Sequence, residues 1–212
     1  MFKNYRLVTS FLGVIALLFS MQLFAQTIPR DDPEKMVDAL SQILITTINE
    51  RREELEADPE SVKQFANEFV LPYVDTKKMA RYVMGKFWRT SSVQQQKAFM
   101  DAFSNTLIRS YSKSLLKLQI EGVSVNPAKA VKPGRVTVSS VVTQTDGNKT
   151  DVVYRAYLNK NTQFWMLYDV SIEGISMLLN YRKAYGSDFS RKGIDAVISD
   201  MQKKNSVVNK DA

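Results

Sequence analysis

The chain has 212 residues, 44% of them hydrophobic, with 29 Lys and Arg against 22 Asp and Glu. That is enough apolar material for one domain with a genuine core, and it argues against intrinsic disorder. There is no His and no Cys, which excludes a Cys or His zinc site, a thiol nucleophile, a Ser-His-Asp triad and a disulfide.

The first segment carries Lys3 and Arg6, then the apolar run Phe11 to Phe19, then Leu23-Phe24-Ala25 before Gln26. This order reads as a secretory signal peptide, residues 1–25, cleaved after Ala25. The run is shorter than the roughly 20 residues a membrane span needs. Residues 26–212 are then expected to form a single soluble, exported domain. Without Lys3 and Arg6, 27 basic residues face 22 acidic ones, a net charge of +5. The excess is scattered, as in Arg51-Arg52-Glu53-Glu54, whereas nucleic-acid binding calls for a concentrated basic stripe.

Asp32-Pro33 supplies a cap and a first-turn proline, followed by Met36, Leu40, Ile43, Thr47 and Ile48 at helical spacing. Asp58-Pro59 repeats the signal ahead of Val62, Phe65, Phe69 and Val70, and Pro72 stops that helix. A short helix carries Met79, Tyr82 and Val83 and ends at Gly85. Ser92 with Gln95 forms a capping box that opens the longest periodic run, with Phe99, Phe103, Leu107, Tyr111 and Leu115 on one stripe and Gly122 as its stop.

From Val123 the pattern turns to strands. Val136, Val138, Ser140 and Val142 alternate with their neighbours, and Asp146-Gly147 makes a tight turn into residues 151–158. Asn159 to Thr162 is a second turn, ahead of a strand from Phe164 to Ile172. Helical periodicity returns over Leu179 to Arg191 and, after Gly193, through Ile194, Val197, Ile198 and Met201, with residues 205–212 expected to fray. Helices, an antiparallel meander, then helices again define an α+β fold: a curved sheet packed against an N-terminal helical layer and C-terminal helices.

Enzyme motifs are missing. Neither a G-x-G-x-x-G nor a P-loop occurs, and Gly174-Ile175-Ser176-Met177-Leu178 lacks the second glycine of a nucleophile elbow. Asp169 and Glu173 could be imagined as an acid/base pair, but a lone carboxylate at a strand end is more often a cap or an ion-pair partner. The apolar stripes stand out instead, although periodicity alone does not separate a packed core from a cavity lined by the same residues.

Leu71-Pro72-Tyr73-Val74-Asp75, Met79-Ala80, Gly85, Trp88-Arg89, Ala102-Phe103 and Tyr111 are followed by Asp151 to Arg155, Trp165 to Val170, Glu173-Gly174-Ile175-Ser176, Asn180-Tyr181-Arg182 and Gly193-Ile194-Asp195. In this order and spacing the chain resembles the MlaC family, the toluene-tolerance proteins, over nearly its whole mature length. It departs from the family where Thr90-Ser91-Ser92 replaces the usual Ala-Thr-Pro and where Ile175 replaces Val. Both changes are conservative.

The resemblance implies a periplasmic phospholipid carrier, a monomer without catalysis, metal or cofactor. It would enclose acyl chains in an apolar cavity and shuttle lipid between an outer-membrane lipoprotein complex and the substrate-binding ring of an inner-membrane ABC transporter, maintaining outer-membrane lipid asymmetry. Another apolar cargo, an isoprenoid or quinone, is the alternative. Resemblance and stripe position together nominate Val74, Met79, Tyr82, Val83, Phe99, Phe103, Leu107, Tyr111, Val152, Ile172, Ile175 and Met177 as lipid-binding, with Arg89, Arg109 and Arg155 as head-group candidates.

Overall fold

The computed structural model describes residues 28–207. The signal peptide expected over residues 1–25 lies outside the described residues. Among the helices described, none is long and apolar enough to cross a membrane.

The first helix, α1 (Pro33–Ala57), starts where the Asp32 carboxylate accepts from the backbone N–H groups of Glu34 and Lys35 at 3.0 and 3.2 Å. It bends at Arg51, which leaves helical geometry. Asp58 serves both neighbours. Its N–H donates to the Glu54 carbonyl, ending α1, and its carboxylate accepts from Glu60 and Ser61 to start α2 (Pro59–Phe69). Pro72 then sits in a single 3-10 turn, Leu71–Tyr73.

The next helix, α3 (Thr76–Met84), is capped by Asp75 and closed by Gly85, whose φ of +57° favours a residue without Cβ. A one-turn helix, α4 (Phe87–Thr90), follows, with no counterpart in the sequence pattern. The long helix α5 (Val93–Lys117) opens with the expected reciprocal Ser92–Gln95 box. It ends five residues before Gly122, because Ile120 already pairs with Gln144 and the chain has entered the sheet. Gly122 instead sits at a register shift inside the first strand.

The strands are β1 (Ile120–Val125), β2 (Lys129–Lys132), β3 (Arg135–Gln144), β4 (Lys149–Leu158), β5 (Trp165–Ile172) and β6 (Ile175–Ser176). They form one antiparallel sheet in the order β1-β3-β4-β5-β6, with β2 also pairing β3. Sequence pattern did not define β2, since all four of its residues are exposed and neither of its faces is apolar. Consecutive pairing of Arg155 with Asp169 and Ala156 with Leu167 leaves Tyr168 as the extra residue of a bulge in β5.

Helix α6 (Met177–Lys192) begins two residues earlier than periodicity suggested, because Ser176 caps it by accepting from the Leu179 N–H. After Gly193, α7 (Ile194–Val207) continues past the expected fraying point. The reason is Asn205. Its amide donates to the Ala102 carbonyl at 2.9 Å and accepts from Thr106 and Arg109 on α5 at 3.2 Å each. These three bonds tie the last turn of α7 down.

Apolar burial divides into three clusters. One is helical, built from α3 to α7 around Phe99, Phe103 and Phe189. A second joins Met36, Val37 and Leu40 of α1 to Val138, Ala156 and Leu167 of the sheet. The third sits where α1, α2 and α5 meet, around Ile48, Leu55, Phe65 and Leu116. Val74 packs against both the helical and the sheet cluster.

Replacing Asn205 by Ala should release the end of α7 at a cost of about 1–3 kcal/mol for the lost partly buried hydrogen bonds. Urea unfolding of the two proteins measures the difference.

Candidate functional site

Strand pairing lines up one residue from each of five strands. Val125 lies opposite Ser140, Ser140 opposite Val152, Val152 opposite Ile172, and Ile172 opposite Ile175. Directly paired residues share a face of the sheet, so this is one row crossing β1, β3, β4, β5 and β6. Two residues along, Val138, Tyr154 and Val170 form a parallel row on the same face. Exposure rises steadily toward the edge: 1% at Ser140, 8% at Val152, 38% at Ile172 and 67% at Ile175. Val152, though buried, belongs to none of the three clusters.

The row is thus buried at its centre and open at the β5–β6 corner, while Val125 at its other end is half-buried. Glu173 and Gly174 make the turn there with positive φ. Leu179, one turn into α6, adds a third exposed apolar side chain beside Ile172 and Ile175 in sequence. Single exposed aliphatic residues are ordinary, but three within eight residues at one corner are not scattered.

From this corner an apolar path continues into the helices. Met177 opens α6, and Tyr181, four residues on, lies on the same helix face. The Tyr181 ring meets Tyr111 of α5 edge-on at 6.5 Å and Phe103 edge-on at 5.2 Å. Leu107 is one turn before Tyr111 on α5 and packs against the helical cluster. Burial, with the neighbouring Tyr181 hydroxyl, pushes the Tyr111 phenol well above its ordinary pKa. Burial likewise raises Tyr154, whose hydroxyl is approached by those of Ser140 and Ser41. Both phenols stay neutral at physiological pH. They offer an apolar body with one polar tip.

The twelve residues nominated from sequence fall into four groups. Leu107, Tyr111, Val152, Ile172, Ile175 and Met177 lie on the row, at its corner or along its helical continuation, while Val74 sits apart from them, bridging Leu167 and packing against both the helical and the sheet cluster. Met79, Val83, Phe99 and Phe103 are buried in the filled helical cluster. Phe99 stacks on Phe103 at 5.7 Å and tilts against Phe189 at 5.5 Å, so neighbouring side chains already occupy the space around them. Their stripe spacing records helix-on-helix packing. Tyr82 is exposed, with the Arg182 guanidinium 4.8 Å from its ring centroid. Tyr154 and Val170 share the sheet face of the row, and Tyr181 lies on its helical continuation, although none of the three is among the twelve. Period-two alternation from Val152 gives the first, and helical spacing from Met177 gives the last.

Two of the three charged candidates have structural partners. Arg155 pairs with Asp169, and Arg109 donates to Asn205. Arg89 is exposed at the end of α4. Asp169 is only 3% exposed and both its carboxylate oxygens are engaged. Glu173 accepts from the Asp151 N–H at 2.7 Å. Cap and ion-pair partner is thus the role observed for Asp169. Among the described residues no group of three or more acidic side chains could hold a metal.

Along β5 the helices are stitched to the sheet by polar contacts. Val74 bridges Leu167, the Asp75 N–H donates to the Leu167 carbonyl at 2.8 Å, and the Tyr157 hydroxyl donates to the Asp75 carboxylate. The Lys78 ammonium lies 3.6 Å from the Tyr157 ring centroid, and burial lowers its pKa.

Two surface grooves lie elsewhere and contain none of the twelve residues. One of about 580 Å³ runs between the α1–α2 junction, α5 and α7, and one of about 300 Å³ lies between α2, α3 and α5. Apolar Leu55, Val62, Ile108 and Leu116 line the larger groove together with charged Glu56, Glu60, Lys63, Asp101, Arg109 and Lys113. Hydrocarbon laid there would meet those apolar side chains but would also strip water from the charged groups around them.

The family model described as MlaC protein matches residues 38–203. The chain belongs to the MlaC family. Relatives include the toluene tolerance protein ttg2D of Pseudomonas putida, 25% identical over 184 residues covering 86% of this chain and 84% of that protein. The intermembrane phospholipid transport system binding protein MlaC of Haemophilus influenzae is 22% identical over 181 residues, 84% of this chain and 85% of that protein. A phospholipid-binding protein from Ralstonia solanacearum, solved in complex with a phospholipid, has the same fold, with a TM-score of 0.76 at 23% identity over 84% of this chain and 99% of that one. The α+β architecture read from the sequence is thus the MlaC architecture.

Packing separates the two kinds of nominated residue. Phe103→Ala should cost about 3–5 kcal/mol, as for a buried aromatic. Ile175→Ala should change stability by less than about 0.5 kcal/mol. Chemical denaturation reads both.

Proposed function

We propose that this MlaC-family chain is a periplasmic phospholipid carrier that holds acyl chains over the cross-sheet row and admits them at the β5–β6 corner. The single observation that carries this reading is the graded row itself, an apolar track that passes from buried Val152 to exposed Ile175 without joining any packed cluster. The phospholipid named in the Ralstonia relative's complex, on the same fold, supports the cargo class.

Hydrocarbon chemistry sets what such a carrier must do. Each CH2 moved into water costs about 0.8 kcal/mol, so two acyl chains of ordinary length cost on the order of 20 kcal/mol. The tails must be covered during transit. Separate clusters give the helical layer and the sheet a boundary along which they can part to accept them. Because bilayer and carrier interior are both apolar, transfer between them is close to neutral in free energy and reversible. Direction then comes from the partners, an outer-membrane lipoprotein complex at one end and the substrate-binding ring of an inner-membrane ABC transporter at the other. No step requires catalysis, a metal or a cofactor.

Val74, Leu107, Tyr111, Val152, Ile172, Ile175 and Met177, joined by Tyr154, Val170 and Tyr181, are proposed to touch the tails. Phe99 and Phe103 back them from the packed core. Placing a carboxylate at the entrance should abolish loading without unfolding the chain, since an ionised group among acyl chains is strongly unfavourable. Organic extraction of the purified protein followed by mass spectrometry should recover a two-chain glycerophospholipid from the wild type and none from Ile175→Glu. A single polyprenyl chain or quinone in the extract, or normal phospholipid content in the variant, would overturn the reading.

A further inference from the structure

We infer that Asp169 is the positioning residue that holds the β5–β6–α6 corner closed over bound acyl chains, an inference that rests on the carrier reading above. Its carboxylate is almost fully buried and collects donors from three directions. The Leu178 N–H of the first turn of α6 donates to Oδ1 at 3.0 Å. The Ser176 hydroxyl donates to Oδ2 at 2.7 Å, and the Arg155 guanidinium of β4 donates to the same oxygen. Ser176 Oγ also accepts from the Leu179 N–H at 3.1 Å. A continuous chain therefore runs from the guanidinium through the carboxylate and the hydroxyl into the start of α6.

The corner clasped in this way, from the end of β5 through the Glu173-Gly174 turn and β6 to the start of α6, contains the two exposed side chains at the open end of the row, Ile172 and Ile175. Elsewhere the segment is held by β4 pairing up to Ile172, by the Glu173–Asp151 hydrogen bonds at the turn and by Leu178 in the helical cluster, so Asp169 is the link between β5, the Ser176 cap and α6. Strand β6 has two residues, paired only as Ser171 with Ser176 and Ile172 with Ile175. The side chain of Arg155 is 42% exposed, against 2% for that of Asp169, so the clasp has one wet leg and one dry one. Asn cannot replace the carboxylate. Its NH2 group would face either the Leu178 N–H or the Arg155 guanidinium, donor against donor. The corner would then loosen while the three apolar clusters, which do not include Asp169, stayed packed.

The test measures retention of lipid, which a purely structural role would not move independently of stability. Each protein is loaded with a phosphatidylethanolamine bearing a fluorescent acyl chain, then chased with unlabelled phosphatidylethanolamine–phosphatidylglycerol vesicles, and the release rate is compared with the melting temperature. Asp169→Asn should release lipid about tenfold faster than wild type, the equivalent of one charge-assisted hydrogen bond. Met201→Ala, in the helical cluster, should lower the melting temperature but release at the wild-type rate. If Asp169→Asn does not fold, Arg155→Gln, which removes only the wet leg, must still accelerate release. Loaded variants that release at the wild-type rate, or Met201→Ala releasing as fast as the clasp variants, would overturn the role of Asp169 alone. A wild-type chain that takes up no lipid would overturn the carrier reading itself.

Discussion

On the proposed reading the chain must part from itself to admit hydrocarbon, and such a chain cannot weld its apolar side chains into one core. Here they are divided among three clusters, and the seam between the helical and sheet clusters runs past Val74 and along β5. Directional polar contacts hold that seam: Asp75 with Leu167 and Tyr157 at one end, Asp169 with Arg155, Ser176 and Leu178 at the other. Hydrogen bonds suit this position because each contributes a few kcal/mol at most, about 1.5–3 where a carboxylate accepts, and can be remade in one geometry. A continuous hydrophobic weld would close the row for good.

The same division assigns distinct tasks to residues of one type. Phe99, Phe103 and Phe189 fill space and fix the helices against one another. Tyr111 and Tyr181 sit where the packing thins, each keeping some exposed surface and a polar tip. Ile172 and Ile175 are exposed in a corner whose backbone is pinned from behind by Asp169. Rigid support behind a compliant apolar surface is what a binder of variable acyl chains requires.

Much of this was legible before any coordinates. Asp32-Pro33, Asp58-Pro59 and the Ser92–Gln95 box are local chemical signals, and each starts a helix where expected. Alternation and the Asp146-Gly147 turn located β3 and β4 for the same reason. What sequence could not resolve depends on distant partners. The end of α5 is set by Ile120 pairing with Gln144, twenty-four positions away, and the persistence of α7 by Asn205 reaching Ala102. The stripe through Phe99, Phe103, Leu107 and Tyr111 looks uniform because periodicity records only direction from the helix axis. Whether another side chain or open space meets that stripe is decided by α6 and α7, so its first half proved to be filled core while Tyr111 stands at the edge.

The central claim is positional: acyl chains lie over the row from Val152 to Ile175. A phospholipid carrying a photoreactive diazirine near the end of one acyl chain, bound to the intact protein, irradiated and mapped by peptide mass spectrometry, tests it most directly. Label should fall on peptides containing Val152, Ile172 to Met177, or Tyr111. Label confined to Pro59 to Lys63 and the α7 wall of the 580 Å³ groove would contradict it.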